Sequence, residues 1–130
     1  MSRSFNTLGD LQKAVMEALW SLGDAGVQAV RDRLDRGNDL AYTTVLSVLQ
    51  KLEKLGWVRR RREGRSHVYR AARTRDEEGV RSVRKIVEDV FGGDRLRLFQ
   101  HLIDDEKLTA DEMNALRDMI ARKRKEKRDD

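Results

Sequence analysis

The clearest periodic signal in the chain lies between Leu40 and Leu55. Val45, Val48, Leu49, Leu52 and Leu55 recur at three- and four-residue steps, the spacing that lines one side of an α-helix with apolar groups. The other side carries Thr43, Thr44, Ser47, Gln50, Lys51 and Lys54: short polar groups near the start, lysines further on. Gly56 predicts the stop, because glycine takes the left-handed conformation after a helix without steric cost. The pattern then shortens to that of two strands, Trp57 to Arg62 and Arg65 to Arg70, with Glu63 and Gly64 expected as the turn of a β-hairpin.

Upstream, Leu11, Ala14, Val15, Ala18, Leu19 and Leu22 form the apolar side of a helix predicted over Leu8 to about Ser21. Thr7 is the expected cap, with Asp10 three residues on in a capping-box-like arrangement. Gly23 and Gly26 interrupt this pattern; Val27, Val30 and Leu34 mark a shorter second helix closed by Gly37, and Asn38 to Ala41 form the turn into the third. Three helices, the last polar on its outer face, followed by a hairpin, make the winged helix-turn-helix plan. Trp20 and Trp57 adjoin apolar periodic positions and are expected in the core. Tyr42 has two readings, a hydroxyl for a phosphate or local packing.

Downstream, Val80, Val83, Val87 and Val90 follow a heptad-like spacing reinforced by Ile86 and Phe91, and Gly92-Gly93 then breaks the helix. A further helix from about Asp94 carries Leu96, Phe99, Leu102 and Ile103. The last opens on a Thr109/Glu112 capping box, with Leu108 placed to staple to Met113, and continues through Leu116, Met119 and Ile120. Three short amphipathic helices expose more apolar surface than one copy covers well. The expectation is a homodimer joined through Val83, Val87, Val90, Phe99, Leu102, Leu116 and Ile120; the alternative is that these faces pack back within one chain. The tail RKRKEKRDD reads as a frayed, solvated helix end.

Charge separates the two halves. Residues 1–75 hold 15 Lys/Arg against 8 Asp/Glu, residues 76–121 hold 7 against 12, and the tail 122–130 holds 6 against 3. Within the basic part, five of the seven residues from Arg59 to Arg65 are arginine, and like charges so close together repel unless something anionic offsets them. Guanidinium forks match phosphate oxygens, while short polar groups at a helix start approach base edges closely. With a net charge of +5 over 130 residues, this is the footprint of a nucleic-acid partner, and duplex contact belongs to the first segment. The fold class that results is mainly α with a small β-hairpin: a winged-helix DNA-binding domain over 1–75 and a helical dimerisation module with a charged tail over 76–130.

The segments LGDLQKAVMEALW, LAYTTVLSVLQKLEKLGWVRR and EGRSHVYRA resemble the penicillinase repressor family, the BlaI/MecI type of bacterial transcriptional repressors. The likeness is strongest over Leu8 to Ala71. It implies a homodimer on a pseudo-palindromic double-stranded DNA operator, with contacts from the start of the recognition helix and from the wing. Carried over by position, those are Thr43, Thr44, Ser47 and Lys51 on the helix, and Arg60, Arg62 and Arg65 on the wing. Ala41 departs from relatives that have a capping serine there. The resemblance also implies control of a β-lactam or cell-wall stress response, and induction through a regulatory protease acting on the C-terminal module. The aligned bond falls near His101 and Leu102, where the family's Asn-Phe pair is absent.

Other classes find little in the chain. No apolar run approaches the roughly 18 residues of a membrane span, and the N-terminus lacks a signal-peptide core, so a soluble cytoplasmic protein without a membrane partner is expected. Zero cysteines exclude disulfides and thiolate metal sites, and with them the cysteine-based metal sensing of some relatives. His67 and His101 have no carboxylate or hydroxyl spaced to make a base or a ligand, so no catalytic residue, metal or cofactor is expected. Two rivals are a sequence-indifferent duplex-binding architectural protein and a winged helix used as a protein-interaction module.

Overall fold

In a computed structural model the described residues are 5–34 and 39–129; the predicted closure at Gly37 and the turn residue Asn38 lie outside them. A 3-10 turn over Phe5–Thr7 leads into α1 (Asp10–Leu22), α2 (Val27–Leu34), α3 (Tyr42–Lys54), β1 (Val58–Glu63), β2 (Ser66–Ala71), α4 (Arg75–Asp89), α5 (Arg95–Ile103) and α6 (Ala110–Asp129). The chain divides into two compact units, with the division between Arg84 and Lys85.

The first unit is the winged helix. Val15, Met16 and Leu19 of α1, Val27 and Val30 of α2, and Val45, Leu49 and Leu52 of α3 meet with Trp57, Val58 and Tyr69 in one buried core. Burial of each large aliphatic side chain there contributes about 1.5–3 kcal/mol. Trp57 is fully buried and Trp20 packs against the same core, as expected of both. The cap of α1 differs from the expectation. Leu8 N donates to Phe5 O at 3.1 Å, closing a turn that includes Thr7, so the helix starts later, on Gly9, whose N–H donates to the Gln12 side chain at 2.9 Å. Phe5 anchors that turn, its ring 5.4 Å from Trp20 and 6.3 Å from Trp57.

The hairpin register also corrects the prediction. Glu63 pairs with Ser66 and Arg62 with His67, so the two-residue turn is Gly64-Arg65 rather than Glu63-Gly64. Gly64 has φ of 62°, a conformation open to glycine at the first loop position, and placing it there moves the turn by one residue, so that Arg62 pairs with His67 instead of Arg65. Ala25 adds a short third edge, exchanging two backbone hydrogen bonds with Tyr69 at 2.9 and 2.8 Å.

Thr74 and Glu77 make a reciprocal capping box that starts α4, with N···O distances of 3.0 and 3.3 Å. One turn on, Glu78 is buried: its Oε1 accepts from Phe5 N at 2.8 Å and its Oε2 lies 3.5 Å from Arg73 Nη1. Arg73 in turn stacks 4.4 Å over Trp57, and its carbonyl accepts from the Trp20 indole N–H at 2.7 Å.

In the second unit α4 ends at the glycine pair, where Gly92 and Gly93 both have positive φ and Gly93 N reaches back to Val87 O. Asp94 caps α5 and the Thr109/Glu112 box caps α6, both at the expected residues. The tail does not fray at Arg122: α6 remains helical through Asp129 with its residues exposed.

Candidate nucleic-acid interface

α3 is set in place from both ends. At its start Ala41 is extended and offers no side-chain cap, so Thr44 N and Val45 N turn back to the Ala41 carbonyl. Arg31 of α2 donates through Nε to Leu40 O at 2.7 Å and holds the entry from outside. At the other end Gly56, with φ of 84°, lets Gly56 N bond Glu53 O and Trp57 N bond Leu52 O, the paired pattern of a Schellman motif. The motif drives Trp57 into the core and sends β1 out immediately after the helix.

Thr43, Ser47, Gln50, Lys51 and Lys54 fall on one side of α3, with Thr44 at its edge, and all are exposed. The helix therefore shows hydroxyls first and ammonium groups later, with Val45, Leu49 and Leu52 turned inward. Tyr42 is 48% exposed at the first helical position, which fits a hydroxyl available to a partner better than packing.

The wing arginines divide into two kinds. Val58, Arg60 and Arg62 share one face of the ribbon, while Arg59, Arg61 and Glu63 share the other. Arg60 Nε lies 3.3 Å from Glu53 on the last turn of α3. Arg61 donates to Asp24 in the α1–α2 turn and, at 3.0 Å, to Glu63. The hydrogen bond to Asp24 raises the Arg61 pKa above its already high ordinary value, so its charge is constant at any working pH. Arg62 Nε folds onto Gly64 O at 3.1 Å, and Arg65 stands exposed at the tip. Among the described residues no carboxylate is ion-paired with Arg59, Arg62 or Arg65. Of the three wing positions inferred from sequence, Arg62 and Arg65 thus present unpaired guanidinium groups, and Arg60 is engaged. Asp24, Glu53 and the Ala25 edge carried no signal in the sequence pattern that linked them to the wing.

The candidate dimerisation residues are placed less uniformly. Val83, Val90, Phe99, Leu102 and Ile120 are each at least half exposed, Leu116 is half-buried, and Val87 is buried. In the second unit Ile103, Met113, Leu116 and Ile120, with Arg117 and Arg124, line a groove of about 570 Å³. Among the described residues no group of histidines and carboxylates could hold a metal, and no helix is long and apolar enough to cross a membrane.

Against known proteins, the penicillinase repressor family profile matches residues 8–122, carrying the likeness well past the winged helix. The chain is 39% identical over 117 residues to the transcriptional regulator BlaI of Mycobacterium tuberculosis, covering 88% of this chain and 83% of that one. It is 24% identical over 123 residues to an uncharacterised 16.5 kDa protein of Latilactobacillus sakei, covering 95% and 84%. Among solved structures, that of the DNA-binding domain of the repressor BlaI superposes with a TM-score of 0.50 at 22% identity, covering 59% of this chain and 93% of that one. That last likeness bears on the fold alone.

Proposed function

We propose that this chain, which belongs to the penicillinase repressor family and is a DNA-binding transcriptional repressor, works as a homodimer on a pseudo-palindromic operator. In this reading residues 1–75 contact the duplex and the helices of 76–130 pair with a second copy. The observation that carries it is the exposed polar side of α3 running directly into a hairpin whose distal Arg62 and Arg65 have no carboxylate partner among the described residues. Thr43, Thr44, Ser47 and Lys51 enter the major groove, and the wing arginines hold the flanking backbone. Pairing is supported by exposure: ten of the twelve large apolar side chains exposed among the described residues lie between Val80 and Ile120. The two recognition helices of the dimer then fall about 34 Å apart, one turn of B-DNA, or a multiple of it.

A dimer seated over a promoter represses by excluding RNA polymerase in the cytoplasm, and the family membership favours a β-lactam or cell-wall stress response as the regulated output. Loss of pairing releases DNA, and a regulatory protease would act on the C-terminal module; His101 and Leu102, at the aligned position on α5, are exposed but do not form the family's Asn-Phe pair. No catalytic step and no cofactor enters this reading.

The test begins with genome-wide recovery of bound fragments, which yields the operator. Thr44→Ala is then expected to cost about 1–3 kcal/mol on that operator and far less on random duplex. Arg65→Ala weakens both alike and lowers the salt slope by about one. Equal loss from Thr44→Ala on operator and random duplex would refute the helix assignment and favour a sequence-indifferent binder.

A further inference from the structure

The base of the wing is fastened by backbone. Tyr69 exchanges two hydrogen bonds with Ala25, and Ala72 N donates to Trp57 O at 2.8 Å. Val58 and Tyr69 are buried there, and the Gly26 backbone runs close enough beneath β2 that a Cβ on it would come 3.6 Å from His67 O. Outward from this base, every residue from Arg59 to His67 is exposed, so the distal ribbon has no core beneath it. A two-stranded ribbon in water holds its direction poorly without tertiary support. Its ion-paired attachments to other elements among the described residues are two, Arg60 to Glu53 and Arg61 to Asp24. Because side chains alternate along a strand, these leave from opposite faces of β1. One reaches the end of α3 and the other reaches the α1–α2 turn. Both anchors are themselves well held: Glu53 lies in the helical turn closed by Gly56, and Asp24 lies between the Gly23 cap and the Ala25 bridge.

We propose that Asp24 and Glu53 are positioning residues of the DNA-reading surface: two acids that brace the wing from its two faces and so hold Arg62 and Arg65 against the backbone beside α3. This rests on the DNA-binding reading. Arg60 and Arg61 are accordingly internal struts, and the phosphate-contacting arginines of the wing are the ones beyond them. The brace accounts for acidic residues at a surface where charge alone would select against them. It also supplies the offset that five crowded arginines need in the absence of DNA.

The sign of one substitution decides between this and simple electrostatics. Neutralising an acid near a phosphate-binding surface should tighten DNA binding if the acid only repels phosphate or masks an arginine. As a brace, its loss weakens binding. Full-length Asp24→Asn and Glu53→Gln are titrated with a mixed-sequence duplex about three helical turns long, across a salt series. Each is expected to bind roughly threefold more weakly, the scale of one exposed ion pair, with a salt slope shallower by about one as a tip contact is lost. Without DNA, amide hydrogen exchange at Gly64, Arg65 and Ser66 should speed up in both variants while exchange in α1 and α3 stays unchanged. The charge-swapped pair Asp24→Arg with Arg61→Asp should restore binding and exchange protection that Arg61→Asp alone removes. Binding equal to or tighter than wild type in either neutralised variant overturns the proposal, as does a swap that fails to rescue. A wild-type protein that does not bind the duplex at all overturns the DNA-binding reading instead.

Discussion

Arg73 and Glu78 offer a test of how the start of α4 is held to the winged helix. Their side chains are 15% and 3% exposed, and the two groups form an ion pair at 3.5 Å. Glu78 Oε1 is bonded by Phe5 N, whereas Oε2 has no hydrogen-bond donor among the described residues and depends on the Arg73 charge alone. Replacing Arg73 with methionine keeps most of the stem over Trp57 but leaves a buried carboxylate uncompensated. Breaking such a pair costs about 3–5 kcal/mol, and the lower end applies here because the contact is not hydrogen-bonded. For a unit of this size, about 3 kcal/mol corresponds to a fall in Tm of roughly 12–24 °C. Glu78→Gln should cost less, about 1–2 kcal/mol, since Oε1 still accepts from Phe5 and the remaining charge is on the better-solvated partner. Arg73→Met combined with Glu78→Leu should recover at least half of the single-variant loss, as paired removal of buried charges often does. The assay is intrinsic fluorescence during thermal and urea unfolding. Trp20 and Trp57 are the chain's only tryptophans and both contact Arg73, so the signal reports this unit. A loss below about 1 kcal/mol for Arg73→Met, or a larger loss for Glu78→Gln than for Arg73→Met, would refute the reasoning.

Two further outcomes are expected. Phe99→Asp and Ile120→Asp, each on an exposed apolar position, should shift the protein from dimer to monomer in sedimentation while leaving its circular dichroism unchanged; a dimer that survives both would displace the pairing surface from α5 and α6. Gly56→Ala meets no neighbouring atom but must hold φ at 84°, so it should destabilise by about 1–2 kcal/mol from backbone strain, and a neutral result in urea titration would show that the helix end had rearranged.

Much of the architecture was legible from residue order. The 3.6-residue period of α3, its end at Gly56, the Asp94 cap and the Thr109/Glu112 box are local: each depends on side chains within a few positions of one another, where spacing and geometry are the same thing. The candidate interface was legible to the same extent. Thr43, Thr44, Ser47 and Lys51 face outward because Val45, Leu49 and Leu52 face inward, and that division is carried entirely by the helical period. Two local readings were overridden. Thr7 lost the cap because Phe5 packs on Trp20 and Trp57 and closes its own turn, and the hairpin register moved because Gly64 took the first loop position.

The amino-acid sequence by itself determined where helices and strands lie, which sides of them are apolar, and that positive charge gathers on the wing. Tertiary structure alone decided what that charge meets. Arg61 finds Asp24 across 37 positions, Trp20 bonds Arg73 across 53, and Phe5 bonds Glu78 across 73. No periodicity connects residues so far apart, because their proximity comes from how the elements pack and not from any one element's repeat. Five arginines among seven residues therefore read as a single charged run, and folding is what separates Arg60 and Arg61, which meet acids, from Arg62 and Arg65, which meet no carboxylate among the described residues.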